Sequence, residues 1–235
     1  MPLRRLLVPS TFVLLAVLLC LPVLAVLASW LQWDAANAQI LAEMARTVLP
    51  QYLWTTVALC VMVGVGVIFV GSATAAAVTL FDFAGRRTLE WALLLPLAMP
   101  AYVVAYAYTD FLQFGGPLQT SLRAWTGLEG RMLPEVRSLG GAAWVFTFAL
   151  YPYVYLLARS ALSERAAHLM EAARLLGAPL SRRIREVALP LARPAVAAGA
   201  ALALMETLAD FGVVSYFGVQ TFTAGIYKAW LAMDN

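Results

Sequence analysis

The sequence predicts an all-α protein, a polytopic bundle of transmembrane helices. Three observations predict it. Of its 235 residues, 63% are apolar and 12% charged, where soluble domains hold about 45–50% and about 25%, and the mean hydropathy is +0.80. Five apolar runs are each about as long as the ~20 residues that a bilayer core of ~30 Å asks of a helix. Of the sixteen basic residues, all but Arg159, near the end of the fourth run, lie outside these runs. A water-soluble enzyme, a disordered regulator and a secreted disulfide scaffold are all disfavoured, because a soluble fold has nowhere to hide so much apolar surface.

The first run, residues 6–30, follows the basic pair Arg4 and Arg5 and imitates a secretory signal with small residues near Ala28 and Ser29. It is nevertheless long enough for a full crossing, so residues 1–30 are expected to form an uncleaved first transmembrane helix. The second run, 52–80, carries Gly64, Gly66 and Gly71, and the third, 89–112, carries Pro96 and Pro100. These would penalise a soluble helix, but in a membrane bundle they permit close approach or a kink. The fourth and fifth runs are 140–162 and 194–217. Beyond Phe217 the chain passes Gly218, Gly225, Tyr227 and Trp230 to Asn235 without a further span, which suggests a domain over 52–235 interrupted before a sixth helix.

Orientation follows from charge, since cytoplasmic loops carry the excess of Arg and Lys. With the N-terminus inside, eleven basic residues fall on the cytoplasmic side, among them Arg86, Arg87, Arg159, Arg182, Arg183, Arg185 and Arg193; five fall outside, namely Arg46, Arg123, Arg131, Arg137 and Lys228. Residues 163–193 are then cytoplasmic, and residues 113–139 extracytoplasmic. The net charge of +3 needs no nucleic acid to explain it.

The cytoplasmic stretch is the most informative. It reads SERAAHLMEAARLLGAPLSRRIREVALPLARP from Ser163 to Pro194 and is too polar to cross a membrane. Ser163 is placed to cap one helix, Gly177 with Pro179 to end it, and Ser181 to cap a second short helix that closes before Pro190. Leu169, Leu175, Leu176 and Leu180 are available as a docking surface. An amphipathic helix held on the inner leaflet by Arg182, Arg183 and Arg185 satisfies the composition equally well.

The spacing adds more. Glu171, Ala172 and Ala173, then Gly177, Val187, Leu189 and Pro190 match E-A-A, x3, G, x9, I, x, L-P, with Val187 for Ile as the sole departure. This resembles the EAA loop of importer-type ABC permeases. The resemblance implies that residues 163–190 form coupling helices seated in a cleft of a cytoplasmic ABC ATPase dimer, with Glu171 making polar contacts, Ala172 giving a close helix surface and Gly177 the turn. The runs DFAGRRTLEW, LLLPLAMPAYVVAYAY, YPYVYLLAR and METLADFGVVSYFGVQTFTAGIYK are similar to the N-terminal half of ferric-iron permeases, which fuse two such domains. That likeness implies a periplasmic solute-binding protein and a second permease half, fused or separate, as partners in a bacterial inner membrane. Related permeases for phosphonates and polyamines share the architecture.

Glu206 and Asp210 lie four residues apart in the fifth run and would share one helical face. A carboxylate at mid-bilayer costs about 2.5–3.5 kcal/mol on insertion scales, so both should face the bundle interior, a partner or water. They are candidates for a solute pathway, for a proton relay in an ion-coupled secondary transporter, or for a structural brace to Thr207 or Thr109. Tyr102, Tyr106 and Tyr108 suit the aromatic belt better than ferric coordination, and Asp110 suits the interface. Cys20 and Cys60 sit in apolar runs as packing residues, and His168, the one histidine, has no second ligand at metal spacing. With no Walker A pattern, G-x-S-x-G or H-E-x-x-H, neither catalysis nor a cofactor is expected.

Overall fold

In the computed structural model the described residues are 2–29 and 35–232, and all regular structure among them is helical. The expected positions of Met1, Trp30 and residues 233–235 lie outside the described residues. The chain divides into two compact units, Met1–Pro50 and Gln51–Asn235. The first contains α1 (Pro2–Ser29), whose stretch from Phe12 to Ser29 is apolar enough to cross a membrane, and the more polar α2 (Ala35–Thr47).

The second unit is built around α7 (Leu139–Ser160), the most buried of the spans. Helical backbone pairs most of its polar groups within the segment, as lipid requires, although Pro152 lies inside it and donates no hydrogen bond. Ser138 caps its start by accepting a hydrogen bond from the Gly141 N–H at 3.1 Å. Val145, Phe146, Val154 and Tyr155 are fully buried on it. On one side lies α3 (Leu49–Leu80), which reaches α7 through its glycines: a Cβ on Gly66 would strike Thr147, and one on Gly71 would come within 2.6 Å of Val154. On the other lies α10 (Leu189–Ala209), where Gly199 meets the Val154 backbone in the same way. Gly71, Val154 and Gly199 therefore mark one level of a close three-helix contact, in which the absence of side chains brings backbones together.

The third expected span, 89–112, is not one helix. It begins as α4 (Arg86–Ala92), passes through a 3-10 turn (Leu95–Ala98), and resumes as α5 (Ala101–Leu112), with a bend of 100° between Arg86–Ala98 and the helical stretch Ala101–Thr126. Pro96 and Pro100 remove two backbone donors from consecutive turns, and Pro100 takes extended backbone (ψ 140°), which ends one helix and starts the next. Four helices among the described residues are long and apolar enough to cross a membrane, and a fifth crossing results if this bent pair is one span. Between α5 and α7 lies α6 (Pro117–Thr126), a helix the polar composition of residues 113–139 did not suggest.

The fifth span also differs. Its helix starts at Leu180, well before residue 194, and stops at Ala209. Residues 210–217 are a break followed by the short α11 (Gly212–Tyr216), and α12 (Phe222–Ala232) closes the described chain. The Thr56 hydroxyl accepts the Phe222 N–H at 3.0 Å and holds the start of α12 to α3.

Candidate coupling hairpin and membrane cavity

The segment 163–190 forms a helical hairpin, but not by the caps expected of it. α7 does not end at Ser160; it widens into a π segment (Ala161–Ala166) and continues as α8 (Ala167–Leu175). Ser163 lies inside that turn, where its hydroxyl donates back to the Arg159 carbonyl at 2.7 Å and caps nothing. α8 ends where Gly177 adopts φ +79°. The Gly177 N–H bonds to the Arg174 carbonyl at 2.9 Å and the Ala178 N–H to the Ala173 carbonyl at 3.0 Å. This pair of bonds is a Schellman closure, which requires a left-handed residue at that point and so favours glycine.

The return arm begins with α9 (Leu180–Arg183), capped at Pro179 and not at Ser181. It passes through a second π segment (Ile184–Ala188) straight into α10, so the helix does not close before Pro190. The wide π turn lies directly before Pro190. It relieves the clash a proline ring otherwise makes with the carbonyl four residues back, and the helix survives. The two π segments face each other at the base of the hairpin.

Of the residues singled out by spacing, Glu171, Ala172 and Gly177 are exposed on the first arm and tip, and Ala173 is half-buried. Leu175 and Leu176 are 89% and 88% exposed, so the tip offers two unpartnered leucines. Val187, Leu189 and Pro190 are not at the tip; they lie where the return arm becomes α10, with Val187 half-buried beside buried Ala188. Met170 and Ala166 are buried and fix the first arm against its neighbours.

Glu206 and Asp210 are brought together, although not on one helical face. Glu206 is in the last turn of α10, while Asp210 has left the helix with ψ 127°. The Asp210 Oδ1 accepts the Val213 N–H at 2.7 Å and caps the turn into α11. Both acids line a cavity of about 400 Å³ together with Tyr102, Tyr153 and the broken backbone from Pro96 to Pro100. Neither threonine proposed as a brace serves them: Thr207 donates to the Ala203 carbonyl at 2.8 Å, and the buried Thr109 hydroxyl has no protein partner. Tyr102 and Tyr106 are largely exposed along α5, and Tyr106 stacks on Tyr216 with ring centroids 4.1 Å apart.

One group of residues went unassigned by sequence reasoning. Glu90 of α4 accepts from Arg159 Nη2 at 2.8 Å and from Arg86 Nε at 3.2 Å. The hydroxyls of Tyr155 and Tyr151 donate to the carbonyls of Glu90 and Leu93 at 3.1 and 2.9 Å. Only the presence of Arg86, Glu90, Tyr151, Tyr155 and Arg159 in the runs DFAGRRTLEW and YPYVYLLAR pointed to them, since the contacts between α4 and α7 join positions 58 to 69 apart.

Residues 67–229 match the family described as binding-protein-dependent transport system inner membrane component. This chain belongs to that family. The permease is 28% identical over 208 residues to PhnU of Salmonella choleraesuis, named for 2-aminoethylphosphonate transport, a match covering 85% of this chain and 73% of that protein. It is 26% identical over 218 residues to the Fe(3+)-transport system permease protein FbpB 2 of Haemophilus influenzae, covering 93% of this chain and 38% of that one. The sulfate transport system permease protein CysT of Salmonella typhimurium is 29% identical over 195 residues, 80% of this chain and 63% of its own length. The permease thus spans well under half of its ferric relative, and its relatives are named for several solutes. Membership makes it a membrane-embedded transport component of the ABC importer class, and leaves the ion-coupled secondary transporter without support.

Proposed function

We propose that this permease couples to a cytoplasmic ABC ATPase dimer through the hairpin 163–190, with Glu171, Ala172, Ala173 and Gly177 at the contact and Val187, Leu189 and Pro190 at the joint with the membrane. The observation that carries the reading is the exposed tip: a glycine-closed turn presenting Leu175 and Leu176, in helical continuity with two spans. A soluble monomer has no use for two fully exposed leucines at a helix end, whereas a cleft in a partner does. A motion of the ATPase would reach α7 and α10 directly. The paired π segments are the compliant points in both arms, because their wider turns hold fewer ideal hydrogen bonds. In this orientation the N-terminus is cytoplasmic, as the charge bias argues, and residues 52–235 act as the transport domain with a second permease half and a periplasmic binding protein.

For the solute we propose ferric iron. The acid- and phenol-lined cavity beside the broken third span suits a cation, since an oxyanion would meet two carboxylates at low dielectric. The match to FbpB 2 over 93% of the chain agrees with it. The match to PhnU supports a second reading, a small phosphonate. The experiment is uptake into proteoliposomes holding the permease with a candidate ABC ATPase and binding protein from the same organism. ATP-dependent uptake of radioactive ferric iron, lost in Glu171→Ala and Gly177→Val while membrane insertion persists, is expected. Uptake of 2-aminoethylphosphonate without iron would replace the solute, and unchanged ATPase recruitment by both variants would reject the coupling site.

A further inference from the structure

A groove of about 560 Å³ runs between α3, the hairpin end of α7 and the start of α10, and the transport reading uses only its hairpin end, at Leu162, Ile184, Ala188 and Leu189. Its wall is apolar and small-featured, with Phe69, Ala73 and Ala76 on one side and Leu162, Ile184 and Leu189 on the other. One charged residue, Arg193, shares the wall.

The level of each group follows from the close contact described above. Gly71 and Gly199 both abut Val154, so Arg193 lies six positions along α10 toward the hairpin, about 9 Å by helical rise. Arg159, five positions beyond Val154, lies at about the same depth, roughly 8 Å from it. Arg193 therefore belongs to the belt of charge at the hairpin end of the bundle, with apolar wall continuing away from it toward the membrane centre. On α3 the groove extends from Ile68 to Leu80, a rise of about 18 Å. That is close to one leaflet, about half of a ~30 Å hydrocarbon core, and too short for a spanning helix.

We propose that this groove holds an anionic phospholipid of the leaflet at the hairpin end, one acyl chain along Phe69, Ala73 and Ala76, and its phosphate on Arg193. Two features select a lipid over another helix. The groove spans one leaflet only, and its single, exposed cation complements an anionic headgroup, which an apolar helix face does not provide. Small residues on the wall leave room for a chain about one methylene wide, and a zwitterionic lipid fills the same room with a phosphate already balanced by its own ammonium, so it gains less from Arg193.

Native mass spectrometry of the full chain in micelles, titrated with phosphatidylglycerol or phosphatidylcholine of identical acyl chains, tests this. The expected result is a single retained phosphatidylglycerol, favoured several-fold over phosphatidylcholine. Arg193→Gln should reduce that preference to parity, and Ala76→Trp should abolish the adduct by filling the groove. Arg182→Gln, on the exposed arm, should leave it unchanged. Equal retention of both lipids by the native chain, or a preference that survives Arg193→Gln, overturns the proposal. So does an Ala76→Trp variant that keeps its lipid but changes oligomeric mass, since the groove would then be covered by a second copy. Helical circular dichroism on each variant separates lost lipid from lost fold.

Discussion

Arg159 Nη2 donates to Glu90 Oε2 at 2.8 Å, joining the last turn of the central span to α4, the first half of the broken one. Glu90 also receives Arg86, and its side chain is only 18% exposed. The first π segment of the hairpin begins two residues beyond Arg159, so this ion pair sits at the corner where the hairpin joins the central span.

Replacing Glu90 by Gln should leave Arg159 half-buried without its counter-charge. The cost is about 1–2 kcal/mol, less than for a fully buried pair because Arg159 retains contact with solvent. Thermal unfolding in detergent should show a lower midpoint for Glu90→Gln and none of that change for Asp82→Asn, whose partner Arg86 keeps Glu90 and whose own carboxylate is 93% exposed.

At Gly177 a Cβ would meet nothing within 4 Å, so space does not restrict substitution there; only the left-handed backbone does. Gly177→Val should cost about 1–2 kcal/mol at the end of α8, equivalent to a five- to thirty-fold loss in ATPase affinity if the turn must close for binding. Asn, which tolerates the left-handed region, should lose less. Pull-down of the ATPase by the two variants gives the order.

The glycines of the membrane core behave in the opposite way. A Cβ at Gly199 would lie 2.6 Å from the Val154 Cα and 2.9 Å from the Tyr153 carbonyl, both backbone and unable to yield. Gly199→Ala should therefore separate α10 from α7 and destabilise by roughly 1–3 kcal/mol. Gly64→Ala should be tolerated, its nearest neighbour being a Leu204 methyl at 3.7 Å. The difference in folded yield after membrane extraction measures it.

Asp210 serves both as a helix cap and as a wall of the cavity. Asp210→Asn keeps an oxygen for the Val213 N–H and should preserve the fold, while Asp210→Ala should lose the cap at about 1 kcal/mol. If the carboxylate charge is what the solute meets, both variants reduce cation uptake, and only the alanine also lowers thermal stability.

Much of this was legible in the chain because its signals are local. An apolar run announces a span whatever it packs against, since lipid imposes the same demand on every backbone amide. Gly177 announced the end of α8 because a Schellman closure involves only residues 173–178. Ser181 missed its cap because α9 starts one residue before it, behind Pro179, whereas the cap assigned to Ser163 and the closure before Pro190 failed for one shared reason. Cap rules describe a helix that ends, and here α7 and α10 run on through π turns, held by packing that composition does not display.

By itself the sequence determined that the protein lives in a membrane, where most of its spans lie, which side is Arg-rich, and that an E-A-A…G…L-P spacing interrupts them. Only the tertiary structure decided that the third span is bent by 100° at its prolines, that Asp210 leaves its helix yet still shares a cavity with Glu206, and that Glu90 finds Arg159. The physical reason is range: hydropathy and turn chemistry act within a few residues, whereas a cavity wall or an ion pair joins positions tens of residues apart, and those meet only once glycines such as Gly71 and Gly199 have let three backbones close on Val154.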